Sequence, residues 1–124
     1  MTWVRIAIAV LGLVEGCWMA FDGTRALTVG DYVTPSSGAY AGQLGPWNYV
    51  VSAVGIPPRS TTMKLIFVAY GVAWIIIAFG LASRSGWAWR AMLIAAIATL
   101  WYIPVGTIFG VLQLLGLLWI RRAA

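Results

Sequence analysis

Apolar residues run along this chain in four long blocks, at about residues 3–20, 63–82, 87–103 and 105–120. Each is roughly 16–20 residues long, close to the ~20 a helix needs to cross a ~30 Å hydrocarbon core. The blocks predict an all-α, integral membrane four-helix bundle, one membrane domain over residues 1–124. Residues 21–62 are the remaining substantial stretch and are expected as a long outer loop between the first two helices.

The last two blocks adjoin. The apolar run from Ala91 to Ile120 is too long for one crossing, and Tyr102-Ile-Pro-Val-Gly-Thr107 interrupts it. Pro104 disfavours helix at Ile103 and suits the first turn of a following helix. A tight helical hairpin is expected there, in preference to one long kinked helix.

Charge orients the helices. With the N-terminus inside, four crossings place Arg5, Arg84, Arg90, Arg121 and Arg122 on the cytoplasmic side. Arg25, Arg59 and Lys64 fall outside, beside Asp22 and Asp31. The cytoplasmic excess of arginine predicts both termini inside, and three crossings would misplace Arg121 and Arg122. Trp3, Trp87, Trp89 and Trp119 then ring the inner interface, with Trp18 and Trp101 near the outer one. Trp74 falls in mid-span and reads as packing, as does Cys17. The first block has a short basic start, and Val14-Glu15-Gly16-Cys17 resembles a lipoprotein cleavage box. Glu15 stands where small residues are usual and no A-x-A site follows, so a retained first helix is expected.

The outer loop is rich in Gly, Pro, Ser and Thr, with turn signals at Asp22-Gly23 and Pro35-Ser36-Ser37-Gly38. It also carries Tyr32, Tyr40, Trp47 and Tyr49. The apolar piece from Trp47 to Ile56 is bracketed by Gly45-Pro46 and Pro57-Pro58 and is too short to span. It is open to three forms: a short interfacial helix, a re-entrant piece, or a strand pairing with Tyr32-Val33. Loops of this length are usually functional or disordered. This one is expected to fold over the outer mouth of the bundle, with Tyr40, Trp47 and Tyr49 as a candidate lid. The lid either seals helix ends or covers a ligand.

Composition agrees with a membrane address. Of 124 residues, 62% are hydrophobic and 9% charged, against about 25% charged in soluble domains. The surplus of +5 flanks the apolar blocks and forms no clustered basic face, so no nucleic-acid partner is expected. Histidine is absent and Cys17 is the single cysteine. That excludes an intrachain disulfide, CxxC redox chemistry, His-ligated haem and His/Cys metal sites. Ser-His and Cys-His catalytic pairs are excluded too. No catalytic residue, metal or required cofactor is expected, and the chain does not read as an enzyme.

Glu15 is the one acidic side chain inside an apolar block. Ionisable groups at membrane depth are costly, so they pair, face the bundle interior, or serve a function. With the first helix ending near residue 20, Glu15 is expected roughly 7–8 Å below the outer boundary. Tyr70 and Thr99 fall at a similar depth, and Gln113 lies nearer the midplane. Glu15, Tyr70, Thr99 and Gln113 form the candidate polar layer or ligand site. No cation lies at that depth, so burial favours the protonated carboxyl unless Lys64 or Arg59 reaches down. The layer is open to two uses: a titratable or ligand-binding site, or hydrogen-bonded glue between helices. Gly12-x-x-x-Gly16 and Gly106-x-x-x-Gly110 allow close helix approach, within the chain or between copies.

Leu11-Gly-Leu-Val-Glu-Gly16, the Gly45-Pro-Trp-Asn-Tyr49 element and the turn from Arg84 to Arg90 occur in a familiar order. The layout resembles the small bacterial four-helix membrane proteins of the DoxX-like families. Those have one helix with an acidic residue, a long outer loop, then three closely spaced helices. The resemblance implies a bacterial inner-membrane protein, and some relatives are linked to quinone-coupled sulfur oxidation. Three functions follow. The first is a non-enzymatic accessory or structural subunit or small oligomer, whose partners are the lipid bilayer and a membrane protein or further copies of itself. The second is a lipid- or quinone-binding protein with an outer-half pocket around Glu15. The third is a Glu15-dependent proton or ion pathway, which in four helices requires oligomerisation.

Overall fold

A computed structural model describes the backbone of residues 2–34, 42–103 and 105–123, and the side-chain surroundings of all of these except 2 and 121–123. The expected turn at Pro35 to Gly38, Tyr40 of the lid, Pro104, and the side chains of Arg121 and Arg122 lie outside the described residues. The helices are α1 (Thr2–Val29), α2 (Trp47–Ala53), α3 (Thr61–Ala82), α4 (Ala88–Ala98) and α5 (Val105–Ala123), with no strand among the described residues. The chain is therefore all-α. Of these, α1 and α3 are long and apolar enough to cross a membrane.

The first difference from expectation is the length of α1, which runs to Val29 and not to about residue 20. Asp22 and Gly23 lie inside the helix. The Asp22 carboxylate is buried and accepts the N–H of Val33 at 2.6 Å, which ties the returning chain to the helix. A Cβ on Gly23 would meet the Phe67 Cβ at 2.8 Å and the Lys64 carbonyl oxygen at 2.9 Å. The glycine thus serves a helix contact with α3, not a turn. α1 ends at Gly30, whose φ of 109° turns the chain while its N–H bonds the Ala26 carbonyl. At 1.5 Å per residue the 28 residues of α1 span about 42 Å.

α1 and α3 form the closest pair. Gly12, Gly16 and Gly23 face α3 across a seam to which α3 contributes Gly71 and Trp74. α5 packs on α1 lower down, where a Cβ on Gly116 would press on Ile8 at 2.5 Å. At that end Arg5 Nη1 donates to the Leu81 carbonyl at 3.2 Å, and Trp89 Nε1 to the Leu117 carbonyl at 3.1 Å.

The α3–α4 turn is closed by Arg84 at φ 61°. Ser85 N–H returns to the Gly80 carbonyl and Arg84 N–H to that of Leu81, the two bonds of a Schellman cap. The cap is built without glycine, so Arg84 holds a left-handed backbone that costs about 1 kcal/mol.

α4 is shorter than the expected 87–103. It stops at Ala98, and Thr99 to Ile103 form successive tight turns. The Thr99 hydroxyl bonds the Ala95 carbonyl at 2.6 Å, and Thr107 Oγ1 bonds that of Leu100 at 2.7 Å. These bonds satisfy carbonyls that the interrupted helix would otherwise leave open.

The bracketed loop piece takes the first of its three forms, a short helix. α2 ends at Gly55 (φ 88°), with Ile56 N–H bonded to the Val51 carbonyl. Its Trp47 ring lies 4.9 Å from Phe67, 5.4 Å from Tyr32 and 6.1 Å from Tyr102. This aromatic cluster fastens α2 and the chain around Tyr32 across the same end of the bundle as the α4–α5 turn.

Candidate functional site

The buried face of α1 is Gly12, Glu15, Gly16, Met19, Asp22, Gly23 and Ala26, spaced by three or four residues so that all point one way. Glu15 therefore faces inward. It is 1% exposed, and neither carboxylate oxygen has a hydrogen-bond partner among the described residues. Because α1 is longer than expected, Glu15 is not near an outer helix end. It stands 14 residues before Val29, about 21 Å along the axis and half-way up the helix.

Gln113 and Thr99 are each linked to α1 beside Glu15, through Gly12 and Trp74, and not to the Glu15 carboxyl itself. Gln113 of α5 is fully buried, with its amide oxygen facing the Gly12 N–H at 3.3 Å and its nitrogen facing the Phe109 carbonyl at 3.1 Å. A Cβ on Gly12 would meet the Trp74 ring at 3.1 Å and the Met92 methyl at 3.5 Å. The Trp74 ring packs on Gly12, and the Trp74 Cβ would lie 2.8 Å from a Cβ on Gly16. Trp74 Nε1 donates to Thr99 Oγ1 at 3.2 Å. Glu15, Gln113 and Thr99 are all buried, and Trp74 bridges α1 and Thr99. Trp74 read as plain packing in sequence. Its indole nitrogen and mid-span position are the signal for the bridging role.

Tyr70 stands apart from these three. Its hydroxyl donates to the Ala98 carbonyl at 2.7 Å and accepts from Trp101 Nε1 at 3.3 Å. It is half-buried and lines a surface groove of about 460 Å³ beneath α2, with Val51, Val54, Met63, Ile66 and Trp101. Of the lid candidates, Trp47 is buried as the anchor of α2, whereas Tyr49 is 74% exposed and points away. Lys64 and Arg59 do not reach Glu15. Lys64 Nζ donates to the Gly30 carbonyl at 3.2 Å, and Arg59 Nε donates to Asp31 Oδ1 at 2.9 Å.

Above these residues is a polar system that the sequence reading missed. Trp18 Nε1 donates to the Tyr102 hydroxyl at 2.9 Å. Tyr102 is buried and within electrostatic reach of both Glu15 and Asp22. Arg25 Nη1 donates to the carbonyls of Asp31 and Tyr32 at 2.8 and 2.9 Å. Burial raises the Asp31 carboxyl, but the hydrogen bonds from Arg59 and from the Tyr32 N–H, with the Arg59 charge, outweigh it and hold the group below its usual range. Burial, helped by the charges of Asp22 and Asp31, pushes the Tyr32 hydroxyl up, and that hydroxyl has no partner among the described residues. The missed signal was the spacing Glu15–Asp22, seven residues apart and so on one helix face.

Among the described residues no three of His, Cys, Asp and Glu converge on one point. No family model, curated protein or solved structure matches this chain.

Proposed function

We propose that the chain is a non-enzymatic integral membrane protein of the bacterial inner membrane, acting as an accessory or structural subunit or as a small oligomer. In this reading α1, α3, α4 and α5 cross the bilayer, both termini are cytoplasmic, and residues 30–34 and 42–60 lie at the outer end. The DoxX-like layout belongs to the same proposal.

The observation that carries the reading is the sense of the packing. Glu15, Asp22, Thr99 and Gln113 are buried, while Val10, Val14, Ile76, Phe79, Ile94 and Leu115 face outward. Apolar side chains exposed on four helices support an environment other than water in this reading. In lipid, polar groups turn inward toward one another. α4 is 11 residues long and spans about 16 Å as helix, so its crossing uses the turns at both of its ends.

A second reading, an apolar-ligand protein, is favoured by the groove beneath α2. Its walls are almost wholly apolar, with the Tyr70 hydroxyl and Trp101 indole at one edge. That mix suits a lipid tail or quinone. The groove involves Tyr70 and not Glu15, so the pocket expected around Glu15 is relocated in this version.

Native mass spectrometry after gentle extraction separates the two. The first reading expects a co-released protein or a bare oligomer. A small molecule released in fixed ratio, and lost in Tyr70→Ala, would replace it with the second.

A further inference from the structure

The end of the bundle away from α2 carries charge of one sign. Arg5 on α1, Arg84 just past α3 and Arg90 on α4 lie at that end, and the last turn of α5 holds Arg121 and Arg122. The acidic residues of the chain are Glu15, Asp22 and Asp31. Glu15 stands about 15 Å beyond Arg5 along α1, and the other two lie further on towards α2.

Arg5 is half-buried, and its Nη1 donates to the Leu81 carbonyl at 3.2 Å. A guanidinium has several further N–H donors. Among the described residues Arg5 makes no second hydrogen bond, and no carboxylate answers its charge.

An apolar furrow between α1 and α3 begins at that bond. Ile6 and Ala82, next in the chain to Arg5 and Leu81, line its end. Ala9 and Ala78 are its buried floor, and the exposed Phe79 is one wall. The furrow follows α1 from Ile6 to Leu13, about 10 Å along the axis. It encloses about 100 Å³, and every side chain lining it is apolar. Arg5 stands one turn before Ala9, on the same side of α1.

A cation with open donors therefore sits at the mouth of an alkyl-sized channel. Phosphate oxygens match the first, because charge-assisted bonds to a guanidinium are strong. A hydrocarbon chain matches the second, because its burial there leaves no polar group unpaired. A second copy of the chain in the same orientation would bring more arginines and no carboxylate to this level. A helix is also about 10 Å across, too wide for the furrow.

We propose that the α1–α3 furrow holds an acyl chain of an anionic phospholipid whose phosphate is bound by Arg5. Arg84 and Arg90 add to the potential that draws anionic headgroups to this end. The proposal rests on the membrane reading, and requires α1 and α3 to cross the bilayer.

The purified chain in detergent is mixed with phosphatidylglycerol or phosphatidylcholine of identical acyl chains, and retained lipid is counted by native mass spectrometry. One arginine near a bilayer surface favours an anionic lipid about fivefold, so wild type should retain phosphatidylglycerol at least about fivefold more than phosphatidylcholine. Arg5→Gln should bring the two within about twofold. Ala82→Phe fills the end of the furrow with every charge in place, and should lose the preference as well. Arg90→Gln removes an equal charge away from the furrow, and should keep most of the preference. If Arg5→Gln fails to fold, Ala82→Phe and Arg90→Gln decide. Wild type retaining both lipids equally overturns the proposal. So does Ala82→Phe with the wild-type preference, or Arg90→Gln losing it entirely. Retention of the chain in the membrane pellet after an alkaline carbonate wash tests the membrane reading separately. A chain that stays in the pellet without preferring the anionic lipid sinks this proposal alone.

Discussion

Gly71→Ala tests the tightest glycine contact of the α1–α3 seam. Gly71 faces Gly16 and Ala20 across the α1–α3 seam. An added Cβ would meet the Ala20 backbone nitrogen, and would lie 2.6 Å from both the Gly16 carbonyl oxygen and the Ala20 Cβ. Ordinary contacts begin at 3.4 Å, so about 0.8 Å is missing, and two of the three obstacles are backbone atoms that cannot rotate away. The helices must part by that amount along their main interface, an overpacking that costs roughly 1–3 kcal/mol. Gly86→Ala is the control. It has no atom within 4 Å of its added Cβ and should be neutral, or stabilising by up to about 1 kcal/mol. Reversible unfolding in mixed micelles, followed by tryptophan fluorescence, reads both. If Gly71→Ala stays within about 0.5 kcal/mol of wild type, or Gly86→Ala falls as far, the close crossing is wrong.

Trp74→Phe removes the bond to Thr99 and part of a fully buried ring, so unfolding should become easier by about 2–3 kcal/mol; a loss under 1 would deny Trp74 its bridging place. Tyr32→Phe removes a buried, unpartnered hydroxyl and should leave stability unchanged or slightly higher, whereas a loss above about 1 kcal/mol would mean that the hydroxyl is paired. Asp31 is held below its usual value of 3.8, so its contribution is complete above that pH and fades as the pH falls through the lower folded value. Both partners are more than 40% exposed, so solvent screening limits the effect to about 0.5 kcal/mol. Arg59→Ala should flatten that acid limb in a pH series of melting curves, and an unchanged limb would remove the pair from the account.

Hydropathy alone located the apolar segments, because block length is a property of the sequence. The ends of those segments were less legible. Asp22-Gly23 reads as a turn by residue type, yet Asp22 is satisfied by a backbone N–H eleven residues on and Gly23 by the proximity of Phe67. Those partners belong to tertiary structure, and they carry α1 on to Gly30. The same extension moved Glu15 to mid-helix. Depth counting set Thr99 level with Glu15 and Gln113 nearer the midplane; in the structure Thr99 bonds Trp74, and Gln113 faces Gly12, three residues before Glu15. It could not place Tyr70, because depth says nothing of which way a side chain faces. Whether α2 was helix or strand was open for a related reason. Seven residues carry little periodicity, and what holds them is the ring cluster around Trp47.

The crossing number tests the central claim most directly. In a Cys17→Ser background, single cysteines at Ser52, Gly86 and Ile103 are challenged with a membrane-impermeant maleimide, in spheroplasts and in inside-out vesicles of a bacterial host. Four crossings expect Gly86→Cys to react only in inside-out vesicles, and Ser52→Cys and Ile103→Cys only in spheroplasts. Gly86→Cys and Ile103→Cys reacting from the same side would mean that α4 does not cross, and the four-helix membrane reading would fail.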